Sequence, residues 1–169
     1  MSPGNARPGP DRTRRKGRLR SHRGAALVEF ALLAPMLFGV LFGIIDFGYN
    51  FSRTLDIRHG SREGSRLAAV NYNGGTASVG SAQASVVIAE ICRRMDGAQG
   101  ATVTLTLPAG TVTQPAGTVG TSATITVSRP ATSLSGLYKP LFDGKTMTSK
   151  VTTRIEVKST WATATGVCT

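Results

Sequence analysis

The feature that most constrains this chain is an almost uncharged run of 21 residues from Ala25 to Ile45, AALVEFALLAPMLFGVLFGII. As an α-helix rising about 1.5 Å per residue, this run would be about 32 Å long. That length is close to the hydrocarbon thickness of a bilayer, which is about 30 Å. The run therefore predicts a transmembrane helix.

One acidic residue, Glu29, interrupts the apolar run near its start. A carboxylate deep in a membrane costs on the order of 3 kcal/mol or more, so Glu29 needs a partner or a hydrated position. Because Glu29 lies only five residues after Gly24, the plain alternative is an interfacial glutamate that stays hydrated or takes up a proton. A simple membrane anchor would have no use for this carboxylate.

The 24 residues before the run form a basic leader, with eight basic residues against one acidic residue and +7 of the chain's net charge of +11. The positive-inside rule predicts that this leader is cytoplasmic and that the chain after Ile45 is extracytoplasmic. Its prolines and charge density predict disorder until a membrane surface orders it. The leader has no interleaved aromatic residues and adjoins an apolar span, so we expect no nucleic-acid binding.

A removable secretory signal is the competing interpretation of the leader and the apolar run. The run is longer than a signal-peptide core of about 7–15 residues. The residues that follow it, DFGYNFSRTL, contain no small-x-small cleavage site. The pair Arg14-Arg15 also lacks the apolar residues that follow a twin-arginine pair. The pattern favours a retained helix over a conventional signal.

The residues GAALVEF, from Gly24 to Phe30, resemble the processing site of type IV pilin-like proteins, in which a glycine precedes the mature chain and glutamate is its fifth residue. The longer run RGAALVEFALLAPMLFGVLFGIIDFG, followed by SREGSRLAAV, is similar to the TadE-like family. Those proteins are pseudopilin components of tight-adherence (Tad) pilus machinery. The resemblance covers residues 23–70 and rests on the processing residues Gly24, Ala25, Glu29 and Phe30, on Pro35, and on the motif residues Asp46, Arg62, Glu63, Gly64 and Arg66.

This resemblance implies that a prepilin-type peptidase cuts after Gly24 and removes the leader on the cytoplasmic side. Glu29 then lies about one helical turn from the new amine of Ala25. In an assembly, the carboxylate would pair with the amine of its own or a neighbouring chain, because a buried charge is tolerated when it is paired. The implied partners are membrane lipid, other pilin or pseudopilin subunits, pilus assembly proteins and the peptidase.

Two glycine pairs predict helix packing. Gly39 and Gly43 form a G-x-x-x-G pattern, which allows close approach of another helix in lipid. Chance is the alternative, since the chain has 20 glycines. Gly60 and Gly64 each cost a helix about 1 kcal/mol, which suggests close backbone contact with a neighbouring element. Pro35 removes one backbone hydrogen bond and predicts a kink or local loosening of the span.

Beyond the span, residues 46–70 contain no proline and predict a membrane-proximal amphipathic helix, which the sequence NYNGG at 71–75 ends. A second helix is predicted from about Ala82 to Met95, with Ser81 as its N-cap. Segments 101–107, 121–127 and 149–157 alternate with period two and predict strands whose threonines face outward. Residues 130–146 are predicted to form a longer loop.

The predicted fold class is therefore α+β and pilin-like. A long N-terminal transmembrane helix continues into an amphipathic helix, and a second helix and a small antiparallel β-sheet follow. The predicted domains are a cytoplasmic leader at 1–24, the span at 25–45, the membrane-proximal helix at 46–70 and an extracytoplasmic domain at 71–169.

The two cysteines, Cys92 and Cys168, fall on the predicted outer side, where disulfides persist. One bridge would tie the otherwise loose tail at 161–169 to the second helix, and two separate thiols are the alternative. Two cysteines are too few for a zinc site, and no histidine accompanies them.

Catalytic patterns such as G-x-S-x-G, H-E-x-x-H and a phosphate-binding loop are missing from the sequence. We expect no enzymatic activity, no cofactor and no metal. The leading interpretation is a TadE-like pseudopilin acting structurally in assembly of a Tad (type IV-like) pilus and processed after Gly24. The alternative is an uncleaved bitopic envelope protein whose outer β-rich domain binds a partner or wall polymer. A secreted enzyme with a cleaved signal has no site to support it.

Overall fold

The computed structural model describes residues 21–107 and 117–169, with side chains from residue 24 onward. Residues 1–20, which make up most of the predicted leader, lie outside the described residues. The chain divides into two compact units, one ending at Leu41 and the other running from Phe42 to Thr169.

The described residues form three helices and four strands. Helices α1, α2 and α3 cover Ser21–Ala69, Gly80–Arg93 and Lys139–Phe142. Strands β1, β2, β3 and β4 cover Thr102–Thr106, Ser122–Pro130, Thr146–Arg154 and Ala164–Val167. A long apolar helix, a second helix and a small antiparallel sheet confirm the predicted α+β fold class.

Helix α1 runs without a break through the predicted span and the predicted membrane-proximal helix, with Pro35 inside it. Among the described residues, it is the helix that is long and apolar enough to cross a membrane. It ends at Ala69 because Asn71 adopts a left-handed backbone with φ of 54°, which an α-helix cannot continue.

The four strands form one antiparallel sheet in the order β3-β2-β1-β4. Strand β2 pairs with β3 from Ser122 opposite Arg154 to Pro130 opposite Thr146. Alternate residues of the two central strands are completely buried, among them Val103, Leu105, Ile125 and Val127. The intervening threonines are more exposed, as the period-two pattern predicts.

The predicted N-cap of the second helix is wrong. Helix α2 begins at Gly80, and its N-cap is Val79, which makes no side-chain capping bond. The tail of the chain occupies the helix start instead: the Gly80 amide donates to the Thr160 carbonyl at 2.6 Å, and the Ala162 amide donates to the Gly80 carbonyl at 3.1 Å. These backbone bonds pair Gly80 with residues 80 and 82 positions later in the chain, and Ser81 falls inside the helix.

Two other expectations were incomplete. The tail at 161–169 is not loose, because Ala164–Val167 pairs with β1 as a fourth strand. The predicted loop at 130–146 contains the short helix α3, and its last residue, Thr146, is the first residue of β3. A four-residue strand and a four-residue helix are too short to produce a clear periodic signal in a sequence.

Cys92 and Cys168 form a disulfide, with their Cα atoms 5.5 Å apart. It links α2 to the residue after β4, which is the bridge the sequence analysis proposed. Backbone hydrogen bonds also fix Cys168 in position. The Cys168 amide donates to the Ala101 carbonyl at 2.8 Å, and the Gly100 amide donates to the Cys168 carbonyl at 2.9 Å. The tail is therefore secured by the sheet as well as by the disulfide.

The core of the second unit lies between the sheet and the two longer helices. Its buried members are mainly aliphatic side chains from α1, α2, β1 and β2, together with Ile155 and Trp161, while β3 and β4 contribute the partly buried Met147 and Ala164. Each fully buried side chain of this kind contributes about 1.5–3 kcal/mol relative to exposure. The hydroxyls of Ser61 on α1 and Ser149 on β3 are 2.7 Å apart, which sets α1 against the β3 side of the sheet.

Helix α1 approaches this core through Gly60 and Gly64. A Cβ atom at Gly64 would lie 2.7 Å from Ile91 Cδ1 and 3.0 Å from Ile125 Cγ2. A Cβ atom at Gly60 would lie 2.1 Å from the Met95 sulfur. The two glycines thus let α1 lie directly against α2 and β2, the close contact that their cost in a helix suggested.

We expect Gly64→Ala to lower the free energy of unfolding of the second unit by up to about 2 kcal/mol. Overpacking a filled core costs about 1–3 kcal/mol, which outweighs alanine's helix-propensity gain of about 1 kcal/mol. Gly48→Ala on the same helix is the control, because a Cβ there meets nothing within 4 Å. That variant should be slightly more stable than the wild type. Denaturant unfolding of the full chain in detergent, followed by fluorescence of the buried Trp161, measures both, and equal effects would contradict the close approach.

Candidate functional site: the processing segment and the aspartate latch

The predicted processing segment, Gly24 to Phe30, lies near the start of α1 in the first unit, and all its side chains are exposed. A Cβ atom at Gly24 would meet nothing within 4 Å. Glu29 makes no ion pair with any described residue. Its apolar neighbours Val28 and Phe30 are 62% and 60% exposed. The segment is thus an open surface with one carboxylate on it.

The predicted helix-packing residues of the span differ in how exposed they are. Pro35 is exposed within the helix, and Gly39 is partly buried. Gly43 is buried, and a Cβ atom there would lie 3.1 Å from the hydroxyl of Tyr138. Gly43 and Tyr138 belong to the same unit, so the chain's own loop covers the Gly43 end of the G-x-x-x-G pattern.

Asp46, the first residue after the apolar run, is completely buried and accepts four hydrogen bonds from one loop. The hydroxyls of Ser133 and Ser135 donate to its carboxylate at 2.5 and 2.7 Å. The backbone amides of Leu134 and Ser135 donate at 2.9 and 3.0 Å. A buried carboxylate is tolerated when such donors replace water, so the loop and the charge stabilise each other.

One helical turn later, Asn50 binds the same loop. Its amide nitrogen donates to the Thr132 carbonyl at 2.8 Å and to the Asp46 carbonyl at 2.9 Å, and its oxygen accepts from the Thr132 amide at 3.2 Å. We call Asp46, Asn50 and loop residues 132–135 the aspartate latch. Beside it, the Phe47 ring packs edge-on against Phe142, with ring centroids 5.3 Å apart.

In the sequence, Asp46 directly follows the apolar run, but nothing there identifies its partners. The available sequence signal for a turn in this loop was the pair of serines that flank Leu134 just before Gly136, because serine and glycine are favoured in turns. The contact itself joins residues 87–89 positions apart. A single sequence carries no information on a contact between residues so far apart along the chain.

Of the motif residues Arg62, Glu63, Gly64 and Arg66, the last three make side-chain or close-packing contacts within the chain. Arg62 and Arg66 are exposed, and Gly64 is the close-approach residue described above. Glu63 forms an ion pair with Arg66 at 3.5 Å and a second one with Arg94, the residue that caps the end of α2.

Arg94 also binds Glu90 on α2, with its Nε 2.6 Å from the Glu90 carboxylate. Arg93 donates two further bonds to that carboxylate, at 2.9 and 2.8 Å. Hydrogen bonds from Arg94 and Arg93 lower the pKa of Glu90 below its ordinary value of 4.5, and the bond to Glu90 raises the pKa of Arg94. These groups therefore stay charged near neutral pH, and the Glu63–Arg94–Glu90 chain joins α1 to the end of α2.

An open groove of about 430 Å³ lies between α2 and β4 beside the disulfide. Among its lining residues, Arg93 carries the one charged side chain, and most of the others are small or apolar. Within the described residues, no group of three or more His, Cys, Asp or Glu side chains is placed to hold a metal ion.

We expect Asp46→Ala to release the loop at 132–136 from α1, because four donors lose their acceptor at once. The amides of Leu134 and Ser135 should then exchange with solvent at least about tenfold faster, since each loses a charge-assisted hydrogen bond. Hydrogen–deuterium exchange read by mass spectrometry measures this. Asp143→Ala is the control, because Asp143 is an exposed carboxylate on the same loop. Similar exchange in the two variants would mean that the latch does not hold the loop.

Comparison with known proteins agrees with the resemblance that the sequence suggested. A family model described as TadE-like protein matches residues 24–66. The match begins at the glycine of the predicted processing site and ends at the last arginine of the Arg62–Arg66 motif. Searches of curated proteins and of solved structures found no match. Residues 24–66 of this chain are thus a TadE-like segment, which comprises most of α1.

Proposed function

We propose that this protein is a TadE-like pseudopilin that acts structurally in the assembly of a tight-adherence, type IV-like pilus. The observation that carries the proposal is the family match, which begins at Gly24, the residue after which processing would occur. A TadE-like segment indicates involvement in Tad pilus machinery. The finer role is inferred from the physical features that follow.

Membrane insertion is supported by the surface of the first unit. Large apolar side chains are exposed there on all sides, including Leu27, Leu32 and Met36, which are between 69% and 75% exposed. Lipid is the solvent that such a helix requires. With the basic leader held in the cytoplasm, the second unit is extracytoplasmic. A disulfide in that unit fits an oxidising compartment.

Assembly with other subunits is supported by an exposed apolar face on α1 beyond the span. Phe51 and Leu55 lie one turn apart on that face and are 65% and 48% exposed. Exposed apolar patches of this kind mark interaction sites, and helices of neighbouring pilin-like subunits fit them. The function is structural rather than catalytic, and its partners are lipid, other pilin or pseudopilin subunits, assembly proteins and a prepilin-type peptidase.

Glu29 fits the same scheme. It is an exposed carboxylate on a helix surface that lipid would surround. After cleavage at Gly24, the free amine of Ala25 on its own or a neighbouring chain supplies a positive partner. Pairing removes the penalty of an isolated charge in lipid, so it favours the assembled state.

Processing is tested by N-terminal sequencing of the mature protein in its own host. The wild-type chain should begin at Ala25, and Gly24→Val should keep its leader because a branched side chain obstructs the peptidase at the cut. Gly17→Val, the same change within the leader, should be trimmed normally. Normal trimming of Gly24→Val would refute the processing site. A wild-type chain that begins at Met1 or Ser2 would instead support an uncleaved envelope protein.

The assembly role is tested by Glu29→Ala. Membrane insertion should be unchanged or improved, because the variant removes a charge that costs on the order of 3 kcal/mol in lipid. Recovery of cross-linked complexes with partner subunits, or of surface pili, should fall strongly because the pairing with the Ala25 amine is lost. Glu156→Ala, which removes an exposed carboxylate from the second unit, should assemble like the wild type. Normal assembly of Glu29→Ala would leave Glu29 with no role in recognition.

A further inference from the structure

The loop that connects β2 to β3 exposes three leucines between residues 134 and 141. Leu134 and Leu137 are each 58% exposed, and Leu141 is 53% exposed. In the other loops of the second unit that the structure describes, the strongly exposed apolar residues are single valines such as Val79 and Val119. Scattered apolar side chains are ordinary on a soluble surface, whereas a cluster of large ones marks a contact.

The aspartate latch fixes the position of this loop along the axis of α1. The backbone amides of Leu134 and Ser135 bind Asp46 directly, and Asp46 follows Ile45, the last residue of the apolar run. One helical residue rises about 1.5 Å, so the loop lies at the level where the proposed span ends. Ile44 and Ile45, in the same unit as the loop, are 67% and 45% exposed.

The chemistry of the loop matches a membrane boundary. The latch supplies donors to a carboxylate that would otherwise face the edge of the apolar phase. Tyr138, whose ring lies near Phe47 with centroids 6.5 Å apart, has the apolar body and polar tip favoured at membrane interfaces. Lys139 and Lys145 are exposed and can place their ammonium groups among lipid phosphates while their stems lie against apolar groups.

We propose that this loop is a second membrane contact, in which Leu134, Leu137 and Leu141 enter the boundary between headgroups and acyl chains of a phospholipid bilayer. The inference rests on the proposed span and adds a contact that the family match does not contain, since the match ends at residue 66. The loop binds Asp46, which directly follows the exposed Ile44 and Ile45, and this is why lipid, rather than a protein groove, is the partner of the leucines. This contact sets the orientation of the sheet relative to the membrane.

The test uses the full chain in vesicles of phosphatidylcholine and phosphatidylglycerol. Because both native cysteines are bridged, a cysteine introduced by Leu137→Cys takes a single nitroxide label. Electron paramagnetic resonance then compares the accessibility of the label to oxygen, which concentrates in lipid, with its accessibility to a water-soluble nickel chelate. Val119→Cys is the matched control, since Val119 is also 58% exposed but adjoins the opposite end of β2, about 27 Å away along the strand. Leu33→Cys reports on the span.

The oxygen-to-nickel ratio should be severalfold higher at Leu137 than at Val119, and lower than the ratio at Leu33, which lies about 18 Å deeper along the helix. Adding Leu134→Ser and Leu141→Ser to the labelled chain should lower the Leu137 ratio towards that of Val119, and both leucines are exposed enough to be replaced without unfolding the domain. Equal ratios at Leu137 and Val119, with a high ratio at Leu33, would overturn loop insertion and leave the span intact. A low ratio at Leu33 would overturn the span and the loop together. A third outcome is a label at Leu137 that has low accessibility to both oxygen and nickel, and that becomes accessible when the protein is diluted with lipid. This result would show that a second copy of the chain covers the loop, and it would also overturn the lipid contact.

Discussion

The close approach of α1 to its neighbours at Gly60 and Gly64 is the contact on which the rest of the second unit depends. Both glycines face side chains that fill the space a Cβ would need, from Met95 just after α2 at Gly60 and from α2 and β2 at Gly64. Glycine costs a helix about 1 kcal/mol, and that cost is offset by apolar contact that a larger residue would prevent. The same helix is therefore exposed and apolar at its start and closely packed at its end.

Two polar groups hold the packed half of α1 at its two ends. At one end the carboxylate of Asp46 binds the β2–β3 loop, and at the other Glu63 binds Arg94 beyond α2. Charged hydrogen bonds have strict geometry, whereas apolar burial is non-directional. The apolar core supplies most of the stability, and the polar contacts select which loop and which helix end lie against α1.

Much of the fold was predictable because its signals are local. Length and composition of the apolar run predict one long helix, period-two alternation predicts three of the four strands, and a glycine five residues before Glu29 predicts the TadE-like segment that the family match confirms. Several parts were not predictable from one sequence. The Ser81 cap failed because the tail binds Gly80, and β4 was missed because the four residues ATGV acquire strand structure by pairing with β1. In each case a residue distant in sequence decided the local structure.

The sequence by itself determined that an apolar run of membrane length follows a basic leader, that glycine and glutamate stand at pilin-like spacing, and that two cysteines lie after that run. These are properties of neighbouring residues, and chain geometry translates them directly into helix length and charge placement. Only the tertiary structure decided that the carboxylate of Asp46 is buried and bound by the β2–β3 loop, and that this loop carries exposed leucines beside the end of the apolar run. The reason is that burial of a charge and exposure of a leucine depend on what packs against them, and those partners lie tens of residues away in the chain.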